Sequence, residues 1–326
     1  MATTIQWGII GCGDVTEVKS GPAFNKVDGS SLVAVMRRDE AKAKDYAARH
    51  GVPKYYSNAQ ALINDKAINA VYIATPPGSH EEYALAAIEA GKPVYVEKPM
   101  ALNYAAALAI QQKAVEKGVP LVVAHYRNAQ PFFVAIKKLI NEGALGEISR
   151  VDLVFNRLPL TAADLQQETK AWRVDPAVSG GGLFHDMAPH QFGLMLFFFG
   201  AVEDAGGQAS NSNALYTAAD KVTGRILFRN GVAFNGSWDF NAEQDEDECI
   251  ITGSKGSVRF PVFGKHEMET EVNGKREIVS FEVPMHVQQP MIEKTVAYFS
   301  GLGENPCPAD AGCETMRLME LFTRKI

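Results

Sequence analysis

A chain of 326 residues, 46% of them hydrophobic and 21% charged, has the balance of a soluble globular protein and is long enough for two domains. Its net charge of −6 argues against a general nucleic-acid binder, which would carry a basic face, and its most apolar run, "FGLMLFFFG", is too short to cross a bilayer. The four cysteines, Cys12, Cys249, Cys307 and Cys313, form neither a CxxC pair nor a zinc-like spacing, and "MATTIQWGIIG" lacks the basic and apolar regions of a signal peptide. Reduced thiols in a cytoplasmic protein are therefore expected.

Short β-branched runs alternate with helical patterns over the first ~125 residues, the signature of βαβ units around a parallel, doubly wound sheet. The strands are "IQWGII", "SLVAVM", "AVYIAT", "KPVYVE" and "PLVVAH". Between them, "DEAKAKDYAARHG" and "SHEEYALAAIEAG" read as helices closing on glycine. After one more helix, in "AQPFFVAIKKLINEGALG", strands predominate: "SRVDLVFN", "VTGRILF", "VAFNGSWDF", "CIITG", "SVRFPVF" and "REIVSFEV". Asn230-Gly231 signals a type I′ hairpin, and the close spacing implies a largely antiparallel sheet. The charge run "EQDEDE", residues 243–248, reads as a solvated loop, and helices over about 288–300 and 309–322 end the chain. No repeat or flexible linker marks the change of architecture near residue 126.

Chemistry collects at the strand ends. "GIIGCGDVT" follows the first strand and opens a helix, as a dinucleotide loop must. Gly11 permits the tight turn, and Gly13 lets the backbone approach a pyrophosphate. Cys12, Asp14 and Val15 complete the loop, and Thr16 stands where the fingerprint has its third glycine. The second strand ends in Arg37 and Arg38, where an NAD-binding domain places an acidic residue against the ribose 2′-hydroxyl. A guanidinium pairs with a 2′-phosphate and a carboxylate repels it, so NADP is favoured over NAD. In "GGGLFHDMAPH", residues 180–190, Asp186 and His190 are four apart and share a helix face, whereas His185 points elsewhere. The glycines are expected to let the chain turn sharply and approach the cofactor with no side chain in the way, and Pro189 is expected within the first helical turn. A metal site would use His185 or His190 with Asp186, and that reading fails because no further histidine lies within ligand-motif spacing to supply the third protein ligand.

With the start "WGIIGCGD", the segments "YIATPPGSH", "VYVEKPMA" and "WRVDPAVSGGGLFHDMAPH" resemble the glucose–fructose oxidoreductase / inositol dehydrogenase (Gfo/Idh/MocA) family over essentially the whole chain. The resemblance implies a Rossmann domain followed by an α+β domain with an open, largely antiparallel mixed sheet, whose exposed face builds dimers or tetramers. The expected division is 1–126 and 127–326, with the C-terminal helix free to pack back on the first domain. It implies an oxidoreductase acting on a secondary hydroxyl or carbonyl of a sugar, cyclitol or related polyol.

By the same resemblance Lys98 is the catalytic lysine, and Glu97 lies beside the nicotinamide ribose. Thr75, Pro76 and His80 line the cofactor loop, Trp172 and Arg173 close over cofactor or substrate, and Asp186 with His190 form the catalytic pair. Histidine suits the single proton that accompanies hydride transfer, and a lysine ammonium stabilises alkoxide character as charge develops. Asp186 would orient the histidine or grip a substrate hydroxyl. Tyr126 and Arg127 are either substrate contacts or domain-junction residues. A rival reading is a catalytically silent sugar- or nucleotide-sensing regulator on the same fold. A sensor has no need of a proton-transfer set, so Lys98, Asp186 and His190 favour an enzyme.

Overall fold

The computed structural model describes residues 4–324. The chain divides into two compact units: Met1–Gln130 with Pro284–Met316, and Pro131–Val283 with Arg317–Ile326.

The first unit runs β1 (Ile5–Ile10), α1 (Asp14–Val18), β2 (Ser30–Met36), α2 (Glu40–His50), β3 (Lys54–Tyr56), α3 (Ala59–Asn64), β4 (Ala70–Ile73), α4 (His80–Glu89), β5 (Val94–Val96), α5 (Tyr104–Lys117) and β6 (Leu121–Val123). Its described strands form a parallel sheet in the order β3-β2-β1-β4-β5-β6, the doubly wound order of a dinucleotide-binding fold. The inner strands are apolar nearly throughout because helices cover both faces; β4, β5 and β6 are buried at every position. Edge strand β3, "KYY", is short and half exposed, and no sequence run announces it. Local chemistry ends the helices. Asp39 Oδ1 accepts from Lys42 N at the start of α2, and Gly51, at φ 64°, closes it in the left-handed region.

The second unit contains α6 (Pro131–Asn141), β7 (Ile148–Asn156), α7 (Glu168–Ala171), α8 (Pro176–Ser179), α9 (Leu183–Phe199), β8 (Val202–Ser210), β9 (Lys221–Phe228), β10 (Ala233–Asp239), β11 (Glu246–Gly253), β12 (Gly256–Phe260), β13 (Glu267–Val272) and β14 (Lys275–Ser280). The sheet order is β14-β13-β12-β11-β7-β10-β9-β8, antiparallel except for the β7–β10 pair. Alternation gives it two different faces. Val151, Leu153, Phe155, Val222, Ile226, Phe234 and Trp238 turn inward with Phe184 and Phe192 of α9. The outward face carries polar pairs such as Arg150–Asp152 and Lys221–Asp239, and a shallow hollow of about 460 Å³ lined in part by Gly206, Gln208, Thr223, Arg225 and Asn235. The chain ends with α10 (Gln289–Phe299) in the first unit and α11 (Ala309–Thr323), whose residues divide between the two at Met316.

Four local expectations need correcting. Glu246, Asp247 and Glu248 belong to β11 rather than to a loop, and Asp247 accepts from the backbone N–H groups of Val262, Phe263 and Gly264. Strands β8 and β13 were not legible, because "VEDAGGQAS" and "EMETEV" mix glycine and glutamate into weak β patterns. Asn230-Gly231 does join β9 to β10, but only Gly231 has a positive φ (85°), and Gly231 N donates to Phe228 O at 2.9 Å. That is a type I turn followed by a left-handed glycine. The type I′ geometry occurs instead at Asn273 (φ 51°) and Gly274 (φ 79°), between β13 and β14. Pro189 lies at the seventh residue of α9, past the first turn, because that helix already starts at Leu183.

Candidate active site

In the first unit the strand ends build a lined edge. Gly11 takes φ 94°, and a Cβ there would come within 2.8 Å of Thr75 N, so both the turn and the approach to the β4 loop demand glycine. Above Gly13 the space is open: a Cβ would meet nothing nearer than Gly11 O at 4.0 Å. Thr16 compensates for the missing third glycine. Its hydroxyl accepts from Gly13 N at 3.0 Å and donates to Gly13 O at 2.8 Å, bracing the loop at the start of α1. Cys12 is buried, and burial pushes its thiol up to about 11, which leaves it inert at neutral pH. Past β2, the Arg37 guanidinium donates to Cys12 O at 3.3 Å and so lies against the glycine loop, while Arg38 is exposed.

The loops after β4 and β5 are tied together by His80. Its ring is wholly buried, with Nε2 at 2.7 Å from Thr75 O and Nδ1 at 2.9 Å from Pro99 O. Burial lowers its pKa, and the two carbonyls oppose that shift. Ser79 Oγ donates to Thr75 Oγ1 at 2.9 Å, which fixes the threonine of that loop beside Pro76. Glu97 directly follows β5, only 6% exposed, and its Oε1 accepts from Tyr72 at 2.6 Å and from Gln288 Nε2 at 2.5 Å. Lys98 follows. Since Val96 pairs with Val123, extending that register past both strands sets Lys98 level with His125. Burial first, and the Lys98 charge second, bring the His125 imidazole down to about 4. Arg127 stacks on Tyr126, its carbon 5.0 Å from the ring centre, and donates to the phenol oxygen at 2.8 Å.

In the second unit the glycines of "GGGLFHDMAPH" make room for the protein's own atoms. Gly180 (φ 91°) caps α8, a Cβ on Gly181 would collide with the His185 ring, and one on Gly182 (φ 88°) with Ala218. The His185 ring is buried against this turn, and burial brings it down to about 4. Asp186 sits in the first turn of α9. Its Oδ2 pairs with Arg173 Nε at 3.0 Å, and the Arg173 guanidinium lies 4.6 Å over the Trp172 ring. His190, one turn on, is buried with its ring edge-to-face with Phe263 at 5.3 Å. The structure thus links three of the sequence candidates, Trp172, Arg173 and Asp186, in one chain of contacts. Among the described residues there is no group of three His, Cys, Asp or Glu placed to hold a metal ion, and no helix long and apolar enough to cross a membrane.

Two residues of this edge escaped the sequence reading. Gln288 meets Glu97 across 191 positions, and Tyr72 meets it from the middle of an apolar strand; neither carries a local signal.

Residues 5–125 match the profile of an oxidoreductase family with an NAD-binding Rossmann fold, and residues 133–259 match the Gfo/Idh/MocA C-terminal domain. The chain belongs to the Gfo/Idh/MocA family. It is an oxidoreductase of that family. Oxidoreductase P35 of Formosa agariphila is 46% identical over 322 residues, covering 99% of each chain. The scyllo-inositol 2-dehydrogenase (NADP(+)) of Bacillus subtilis (strain 168) is 34% identical over 199 residues, 60% of this chain and 52% of its own. A structure of levoglucosan dehydrogenase with NADH and levoglucosan shares the fold at a TM-score of 0.84 and 20% identity, covering 98% of this chain and 96% of that one.

Proposed function

We propose that this family member is an NADP-dependent enzyme that interconverts a secondary alcohol and a carbonyl on a sugar, cyclitol or related polyol. The observation that carries the cofactor choice is the Arg37 guanidinium held against the glycine loop, at the strand end where an NAD enzyme carries a carboxylate. A relative named as an NADP(+)-dependent inositol dehydrogenase supports both the cofactor and the substrate class.

The residues present fit a nicotinamide dinucleotide. Gly13 leaves the space of a side chain free beside the first N–H groups of α1, which suit a pyrophosphate. Thr75 and Pro76 form the adjoining loop, and Glu97 serves the ribose. The cofactor, when bound, accepts or donates the hydride. Lys98 places its ammonium on the substrate oxygen and stabilises alkoxide character, and His190 takes or returns the proton of the hydroxyl. Asp186, steered by Arg173 on Trp172, holds a neighbouring substrate hydroxyl. Tyr126 and Arg127 act as further substrate contacts. The first unit is the cofactor domain, and the second carries the substrate groups and assembles copies through its outward sheet face. Four buried free thiols suit the reducing cytoplasm.

A panel of sugars and cyclitols with NADP(H) or NAD(H), followed at the nicotinamide absorbance, tests this reading. Turnover should appear with at least one polyol and fall about 10²- to 10⁴-fold in Lys98→Met and His190→Ala. Turnover unchanged in both variants would remove the mechanism. Arg37→Asp should weaken NADPH far more than NADH, and equal losses for the two would remove the NADP assignment.

A further inference from the structure

Glu97 is held in an asymmetric way. Its Oε1 takes two short hydrogen bonds, from Tyr72 at 2.6 Å and from Gln288 Nε2 at 2.5 Å, whereas Oε2 receives the Lys98 backbone N–H at 3.2 Å. A carboxylate offers about four lone-pair positions, so this oxygen retains capacity for a further donor. The Gln288 amide has one orientation available. Tyr95 donates to its Oε1 at 3.1 Å, so its NH₂ faces Glu97, and a flip would set carbonyl against carboxylate. The Gln288 backbone is fixed as well, since its N–H donates to Lys19 O at the end of α1. Tyr72 lies 3.2 Å from Ser20 Oγ, which reaches Val15 O at 3.4 Å. Ser20, Tyr72, Tyr95, Glu97 and Gln288 are buried inside the first unit, and burial with the nearby Glu97 charge keeps both phenols protonated, well above their ordinary value.

We propose that Gln288 is a positioning residue for the nicotinamide half of the cofactor, fixing the Glu97 carboxyl group so that Oε2 is presented to a ribose hydroxyl. This rests on the reading that Glu97 serves that ribose. The adenosine half is held elsewhere, by the glycine loop and Arg37, so the two halves of the dinucleotide report on different residues. A neutral amide suits the role, because it donates to Glu97 without neutralising it as a lysine would.

The test compares Gln288→Leu with the unaltered enzyme in fluorescence titrations with NADPH and competition titrations with 2′,5′-ADP, which lacks the nicotinamide half; NADH and ADP replace them if the enzyme prefers NAD. The Kd for NADPH should rise about tenfold, the effect of one lost hydrogen bond to a charged group, while that for 2′,5′-ADP stays within about twofold. Glu97→Gln should weaken NADPH similarly, and the double variant should be no worse than the weaker single. Equal losses for both ligands in Gln288→Leu would mark a general structural role and overturn the proposal. Unchanged NADPH binding in Gln288→Leu beside weakened binding in Glu97→Gln would overturn it while leaving the Glu97 reading intact. Unchanged binding in Glu97→Gln would remove that reading and the proposal with it. Should Gln288→Leu fail to fold, Tyr95→Phe loosens the amide while keeping the packing and is read by the same comparison.

Discussion

Asp186 meets the Arg173 guanidinium at 3.0 Å, and that guanidinium rests on the Trp172 ring. Both partners are partly exposed, so the pair contributes no more than about 1 kcal/mol to stability; under the proposed function its weight falls on orienting Asp186. Arg173→Ala is therefore expected to lower kcat/KM by about ten- to a hundredfold while Tm moves by only about 2–4 °C. Steady-state kinetics beside a thermal melt checks this, and a lowered Tm with unchanged kinetics would reduce the pair to a structural one. His185 and His125 illustrate a different effect. Burial brings each imidazole to about 4 in the folded chain, against an ordinary 6.5. Between those values the unfolded chain binds more protons. Stability is thus full above pH ~6.5 and falls as the pH drops towards 4. Between pH 7 and pH 5 the loss is about 2 kcal/mol per histidine. Urea melts at the two pH values should show it, and His185→Gln should remove about half of the histidine contribution. An unaltered pH dependence in that variant would mean that His185 is already charged when folded.

At the scale of elements, the two Asn-Gly pairs separate a motif from its geometry. At Asn273 and Gly274 both residues lie at positive φ, so Asn273→Gly should relieve strain and leave stability unchanged or raised by up to about 1 kcal/mol. Asn230 lies outside that region; its Nδ2 donates to Phe199 O at 3.2 Å, and its Oδ1 accepts from Val232 N at 3.3 Å. Asn230→Gly loses both bonds and should cost about 1–2 kcal/mol. Denaturant midpoints decide it, and the same sign for both variants would contradict the two turn assignments. The dipeptide alone could not distinguish these cases, since the neighbouring contacts choose between the turns. The same holds just before α9, where the glycines legible as a turn prove to be required by the αL cap of α8 at Gly180, by the His185 ring at Gly181 and by Ala218 at Gly182. Strands β1 and β2, largely apolar, and β7 and β10, alternating, were plain in the sequence because period and composition are local; β3, β8 and β13 form because neighbours offer them an edge.

At the scale of the molecule, the outward face of the second sheet is the proposed contact between copies. Gly206 lies on it with nothing within 4 Å of a Cβ position and no positive φ, so the subunit has room for a side chain there. Gly206→Arg should therefore fold with an unchanged circular dichroism spectrum yet shift the mass seen by light scattering towards the monomer. An unshifted oligomer would place the contact on another face.

The sequence by itself determined the alternating architecture of the first half, the glycine loop, the arginine at the end of β2, and the order of Lys98, Asp186 and His190. Those depend on periodicity and on residue type at strand ends, which neighbouring positions carry. Tertiary structure alone decided which partners hold those groups. Gln288 reaches Glu97 from 191 residues away, His80 ties two loops through buried carbonyls, and Arg173 fastens Asp186. A buried polar group must find a hydrogen-bond partner, but any suitable residue that the fold brings close will serve, and spacing along the chain does not record which one.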